Sequence, residues 1–152
     1  MIHFNVPPVT GNEVKYIQEA IAAHKICGDG AFTKKCHAWL EANLNKYTGG
    51  GCKPRALLTT SGTTALEMAA LLCDIRSGDE VIVPSYTFVS SALAFVRQGA
   101  KIVFADSMAS NPNINAEAIE PLITPKTKVI VVVHYAGVAC GMDKIMEIAR
   151  CY

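Results

Sequence analysis

The chain has 152 residues, 51% of them hydrophobic and 18% charged, with 14 basic against 13 acidic side chains for a net charge of +1. So apolar a chain can offset its conformational entropy by burial, which excludes disorder, and the balanced charge gives no electrostatic case for nucleic-acid or membrane-surface binding. The longest apolar run, Val129 to Val133, is strand length, and Met1 to Pro8 lacks the basic and apolar regions of a secretory signal, so one cytoplasmic globular domain is expected.

In chain order, Glu13 to His24 and Phe32 to Tyr47 carry apolar residues at helical spacing (Val14, Ile17, Ile21; Phe32, Cys36, Leu40, Leu44) around the turn Gly28-Asp29-Gly30. They read as an N-terminal helical arm. The Gly-rich stretch Thr48 to Pro54 reads as a linker, so residues 1–54 are expected to form arm and linker and residues 55–152 an α/β part. In that second part short β-branched runs alternate with amphipathic stretches. Strands are expected at Ala56 to Leu58, Glu80 to Val83, Ile102 to Ala105 and Val129 to Val133. Helices are expected at Thr63 to Cys73, Phe88 to Arg97, Ala116 to Ile123 with Asn115 as N-cap, and from Met142 to Arg150. The strands lack polar alternation, which implies burial on both faces and a mostly parallel sheet between helical layers.

The six cysteines are scattered, with no Cys-x-x-Cys spacing, and read as structural reduced thiols. The four histidines are far apart in sequence, so no metal site is expected.

Three segments at expected strand ends carry possible chemistry. Thr59-Thr60-Ser61-Gly62-Thr63-Thr64 is a hydroxyl-rich turn opening a helix. Free N–H groups and the helix dipole favour an anion there, Gly62 permits close approach, and Thr63 and Thr64 can add donors. The turn lacks the Lys of Gly-x-x-x-x-Gly-Lys and the spacing of Gly-x-Gly-x-x-Gly, and a well-capped helix start without a ligand fits it equally. In the second segment, Pro84 to Ser91, Phe88 either stacks on a planar ring or belongs to the core. In the third, Val133 to Gly137, His134 is an acid–base group or a hydrogen-bonding member of a polar rim, with Tyr135 beside it. All three fall on the carboxyl edge of one parallel sheet, where open α/β sheets bind ligands.

These residues resemble a known family. The run Ser61-Gly62-Thr63-Thr64-Ala65-Leu66, then Gly78 to Val89 with Pro84-Ser85-Tyr86-Thr87-Phe88-Val89, then Gly99-Ala100-Lys101 with Asp106, and finally Val133-His134-Tyr135-Ala136-Gly137 are similar to the DegT/DnrJ/EryC1/StrS sugar aminotransferases. Phe4-Asn5-Val6-Pro7-Pro8 and Gly28-Asp29-Gly30 extend the likeness to the start of the chain. The resemblance implies the large domain of a fold type I transferase that uses pyridoxal 5′-phosphate, a three-layer α/β/α arrangement. It implies that Gly62, Thr63 and Thr64 hold the cofactor phosphate, that Phe88 stacks on its ring, and that His134 and Tyr135 lie on the substrate-side rim. It further implies transamination of a 4-keto-6-deoxy nucleotide sugar, dTDP-4-dehydro-6-deoxyglucose, with glutamate as donor, for a cell-surface polysaccharide such as enterobacterial common antigen, by a homodimer.

The family's Schiff-base lysine and pyridinium-binding aspartate have no counterpart among these 152 residues. In the family the aspartate sits on a strand following the position of Tyr152, and the lysine lies five positions after a serine further on. No serine here is followed by a lysine at that spacing. The chain is therefore expected to be the N-terminal part of a larger aminotransferase, carrying no catalytic residue of its own. The competing expectation is a non-catalytic phosphate- or nucleotide-binding or interaction fragment. A nicotinamide-type oxidoreductase is disfavoured, since it would need a glycine fingerprint with an acidic residue about 20 positions on.

Overall fold

A computed structural model describes residues 5–48 and 53–152. It divides into two compact units, Met1–Leu58 and Thr59–Tyr152.

The first unit is helical. Helix α1 spans Glu13–Ala22 and α2 spans Ala31–Asn45. The start of α1 is held from within its first turn, because the Glu13 carboxylate accepts the N–H groups of Thr10 (2.6 Å) and Gly11 (2.9 Å) as well as the Thr10 hydroxyl. These bonds occupy N–H groups that flank the helix start and place a negative charge at its positive end. They hold the Glu13 carboxyl down at about 2, with the Thr10 N–H the largest cause. Between the helices, Asp29 takes the left-handed region at φ 57°, and Tyr16 and Phe32 meet edge-on at 5.4 Å. The expected strand Ala56 to Leu58 does not form. Its backbone is used by α2 instead: the Ala56 N–H donates to the Glu41 carboxylate and the Leu58 N–H to His37 Nε2. Of the expected linker, residues 49–52 lie outside the described residues.

The second unit is built on a three-stranded parallel sheet in the order β2-β1-β3, with β1 at Glu80–Pro84, β2 at Lys101–Ala105 and β3 at Thr127–Ile130. The pairing continues past β3, since the Val131 N–H donates to the Ile82 carbonyl at 2.8 Å. Helix α3, Gly62–Leu72, precedes the sheet, α4, Ser90–Val96, connects β1 to β2, and α5, Met142–Cys151, follows β3. The central strand shows why the sheet has two covered faces. Val81 and Val83 pack with Ala70, Ile75, Ala94 and Phe95 on the side of α3 and α4, while Ile82 packs with Ile119, Ile145 and Ile148 on the side of α5. Alternation along β1 thus feeds two cores, giving helices on both faces of a parallel sheet.

Burial on both faces, expected of every strand, holds only for β1. Strands β2 and β3 are partly exposed, with Phe104 of β2 more than half open. Both have one ladder neighbour, so their outer edges lack the cover that the centre receives.

The expected helix Ala116 to Ile123 is replaced by two 3₁₀ turns, Ala116–Ala118 and Glu120–Leu122. Asn115 does cap the first, its side chain accepting the Glu117 N–H at 3.1 Å. Pro121 explains the break: it has no N–H to donate to the Glu117 carbonyl and disfavours helical backbone at Glu120, so an α-helix cannot run through. The α4 helix also starts two residues later than expected, at Ser90, and the Phe88 carbonyl accepts the Ser91 N–H at 3.0 Å. Gly99 closes the turn into β2 at φ 91°, where a side chain would be strained and would press on the Ser77 backbone at 3.0 Å.

Cys52 lies outside the described residues, and the other five cysteines are unpaired, as reduced thiols are expected to be. Cys27, Cys36, Cys73, Cys140 and Cys151 are free thiols, yet only Cys140 is buried. The other four sit on outward helix faces or turns.

Candidate ligand site at the carboxyl edge of the sheet

The site begins with a helix start whose hydroxyls are already organised. Ser61 is the N-cap of α3, in extended backbone, and its side-chain oxygen accepts the Thr64 N–H at 3.2 Å. Its carbonyl accepts the Ala65 N–H and the Thr59 hydroxyl. The Thr64 hydroxyl lies 3.0 Å from Ser61 Oγ and 3.3 Å from Thr60 Oγ1. The cap therefore satisfies Thr64, whereas the N–H groups of Gly62 and Thr63 have no acceptor among the described residues. A Cβ added to Gly62 meets no atom within 4 Å. Two free donors at the positive end of an eleven-residue helix, beside open space, suit an oxyanion.

The turn follows no strand among the described residues, contrary to expectation, but two side-chain contacts join it to the segments after β1 and β3. Thr63 Oγ1 lies 3.0 Å from Ser90 Oγ, which links the start of α3 to the start of α4. Ser90 and Ser91 are both buried, and Ser91 Oγ in turn meets Thr87 Oγ1 at 3.0 Å. The segment between β1 and α4 then reaches across to the segment after β3, where Tyr86 and Tyr135 meet edge-on with centroids 5.2 Å apart and planes at 63°. The Tyr135 phenol is pushed above its ordinary value, first by its hydrogen bond with Tyr86 and then by the nearby Tyr86 charge. Phe88 is 74% exposed, so it is not a core residue of this unit; its ring is free to cover a planar ligand.

His134 opens the third segment. Its Nδ1 accepts the Cys140 N–H at 3.2 Å, which places the ring proton of the neutral imidazole on Nε2. The Cys140 thiol donates to the Val133 carbonyl at 3.2 Å, so the turn is closed from both ends. Within it Ala136 adopts φ 51°, ψ 28°, a left-handed conformation uncommon for alanine. Asn113, which the sequence reading did not single out, holds this turn from the opposite side. It accepts the Tyr135 N–H at 3.0 Å and donates to the carbonyls of Val138 (2.9 Å) and Ala139 (3.2 Å). Only its place in an Asn-rich loop, Asn111 to Asn115, marks it in sequence, and that pattern by itself signals a turn.

A parallel sheet with helices on both faces, and with ligand-competent groups in the segments after β1 and β3 and in the turn linked to them, is of the α/β class in which ligands bind outside the carboxyl ends of the strands. Residues 9–152 match the DegT/DnrJ/EryC1/StrS aminotransferase family, and the chain belongs to that family. GDP-perosamine synthase from Caulobacter vibrioides is 38% identical over 144 residues, covering 95% of this chain and 37% of that protein. Among solved structures, 3-amino-5-hydroxybenzoic acid synthase superposes with a TM-score of 0.82 at 33% identity, over 98% of this chain and 38% of the other. A proposed sugar aminotransferase from Streptococcus pneumoniae, solved in its PLP-form, superposes at 0.79 with 31% identity, over 97% of this chain and 36% of the other. The chain therefore spans little more than a third of the length of these relatives, and its α/β fold is that of the corresponding part of a fold type I enzyme.

Proposed function

We propose that the carboxyl edge of this sheet holds pyridoxal 5′-phosphate, and that the whole protein transfers an amino group from glutamate to a 4-keto nucleotide sugar. The observation that carries the reading is the linkage of the turn that opens α3, with its free donors, to the segment after β1 through Thr63–Ser90, and of that segment to the one after β3 through Tyr86–Tyr135. The residues fit the cofactor. Gly62 and Thr63 would give backbone N–H groups to the phosphate, the Thr63 and Thr64 hydroxyls would supplement them, and Phe88 would cover the ring. When bound, the cofactor supplies an electron sink for the carbon that exchanges its amino group. His134 and Tyr135 would line the substrate side, His134 presenting its Nε2–H as a donor and the raised Tyr135 phenol remaining protonated at neutral pH.

In this reading residues 1–54 are an arm and linker and residues 55–152 the N-terminal part of the cofactor-binding domain, in a cytoplasmic homodimer. No described helix is long and apolar enough to cross a membrane. The nucleotide and sugar are the finer part of the proposal. The resemblance implies dTDP-4-dehydro-6-deoxyglucose, the acceptor of a dTDP-4-amino-4,6-dideoxygalactose transaminase, while a relative at 38% identity is named for a GDP-linked sugar. Glutamate-dependent amination by the full-length gene product, assayed with dTDP- and GDP-linked 4-keto-6-deoxy sugars, separates the two. Turnover with the dTDP sugar supports the finer reading, turnover with only the GDP sugar replaces it, and no amination of either removes the proposed activity.

A second reading has its own observation. None of the three rim segments, 59–64, 84–91 and 133–137, contains a lysine. This 152-residue chain would then bind the phosphorylated ligand without transferring an amino group. Calorimetry of the chain with pyridoxamine 5′-phosphate tests that binding directly, because this ligand has no aldehyde to react with surface lysines.

A further inference from the structure

We propose that Asn113 is a positioning residue: its buried carboxamide sets the 134–140 turn and so holds Tyr135 edge-on against Tyr86. The importance of this rim for a ligand rests on the function proposed above. The positioning itself stands on geometry.

Asn113 is 2% exposed and has an acceptor and two donors to satisfy without water. All find partners in one turn: Oδ1 takes the Tyr135 N–H, and Nδ2 gives to the Val138 and Ala139 carbonyls. This pattern fixes the amide orientation, since a flipped carboxamide would set N–H against N–H and oxygen against two oxygens. Asn113 is itself anchored. Its N–H donates to Asn111 Oδ1, its carbonyl accepts the Met108 N–H, and Ser107 and the following Ile114 pair in an antiparallel bridge directly after β2. Ile114 is fully buried in the core beneath. The bond to the Tyr135 N–H acts on the residue whose ring meets Tyr86, and the bonds to 138 and 139 close the far side of the left-handed Ala136. The carboxamide thus transmits the position of β2 to the rim beyond β3.

The substitution Asn113→Asp gives a readout that loss of stability alone does not imitate. In its ionised form the introduced carboxylate keeps an acceptor for the Tyr135 N–H but turns oxygen toward two carbonyls; protonation restores one donor. The test is ¹⁹F NMR of the 152-residue chain labelled with fluorotyrosine, the Tyr135 signal being assigned by Tyr135→Phe. In Asn113→Ala the Tyr135 signal is expected to move to the free-tyrosine position at every pH. In Asn113→Asp it is expected to be displaced at neutral pH and to return toward the wild-type position as the carboxyl protonates. Wild-type chain over the same pH range controls for His134, which accepts the Cys140 N–H in the same turn. A Tyr135 signal unchanged in both folded variants overturns the proposal, as does displacement with no recovery on acidification. If the variants do not fold, hydrogen exchange of the wild-type chain decides: the Tyr135 N–H should exchange at least about 100-fold more slowly than in a free peptide, and unprotected exchange overturns the proposal. These readouts need no ligand. Failure to bind pyridoxamine 5′-phosphate would therefore count against the proposed function without touching the role of Asn113.

Discussion

The hydroxyls of Thr63 and Ser90, 27 positions apart in sequence, lie 3.0 Å from one another and join the starts of two helices that pack on the same face of the sheet. Ser90 is buried, so this contact has little competition from water. Thr63→Val would leave the Ser90 hydroxyl without its partner and is expected to cost about 1–2 kcal/mol. A double-mutant cycle with Ser90→Ala in urea denaturation checks it: the paired variant should lose less than the sum of the single losses.

Gly62→Ala separates ligand approach from folding. The added methyl meets nothing in the protein, and alanine near a helix start lowers the entropy of the unfolded chain, so stability should stay level or rise by up to about 1 kcal/mol. The methyl would still occupy the space beside the free N–H groups. Affinity for pyridoxamine 5′-phosphate is expected to fall about tenfold or more, the equivalent of roughly 1.4 kcal/mol. Equal affinity in calorimetry would place the ligand elsewhere.

Phe88→Ala makes the same distinction for the ring. A core phenylalanine loses about 3–5 kcal/mol on truncation, whereas a surface substitution stays within about 0.5 kcal/mol. Because Phe88 is largely exposed, the melting midpoint should barely change while cofactor affinity drops. Ile82→Ala, at the centre of β1 and fully buried, is the contrasting control and should cost about 2–5 kcal/mol.

Much of this arrangement was legible in the sequence, for identifiable reasons. β1 is a buried central strand, and its run Glu80-Val81-Ile82-Val83 states that directly. The start of α3 was readable to within one residue: the hydroxyl-rich turn before the apolar spacing marked a helix from Thr63, and the structure opens it at Gly62 with Ser61 as N-cap. Errors arose where local pattern and wider context disagree. Ala56-Leu57-Leu58 looks like a strand but pairs with none among the described residues, and the N–H groups of Ala56 and Leu58 go to Glu41 and His37. In Ala116 to Ile123 the apolar spacing suggested a helix while Pro121 forbade one. Asn113 was missed because its partners lie more than 20 residues away.

The N-terminus of α1 carries a pH dependence whose direction follows from Glu13. Its folded-state value, about 2, lies below the ordinary 4.5, so the unfolded chain binds the proton more readily. The contribution to stability is complete above about pH 4.5 and is lost as pH falls toward 2. Titration of the Glu13 carboxyl by ¹³C NMR should give a midpoint well under the ordinary value. Glu13→Gln should weaken the acid sensitivity of α1, read as amide exchange of residues 13–22.

Whether the free donors of α3 receive the cofactor phosphate decides the proposed function. Backbone ¹H–¹⁵N spectra of the chain, titrated in parallel with pyridoxamine 5′-phosphate and with pyridoxamine, ask this directly. The predicted result is a saturable shift of the Gly62, Thr63 and Thr64 amides with the phosphorylated ligand and none with pyridoxamine at the same concentration. Unmoved amides, or equal shifts with both ligands, would contradict the phosphate site.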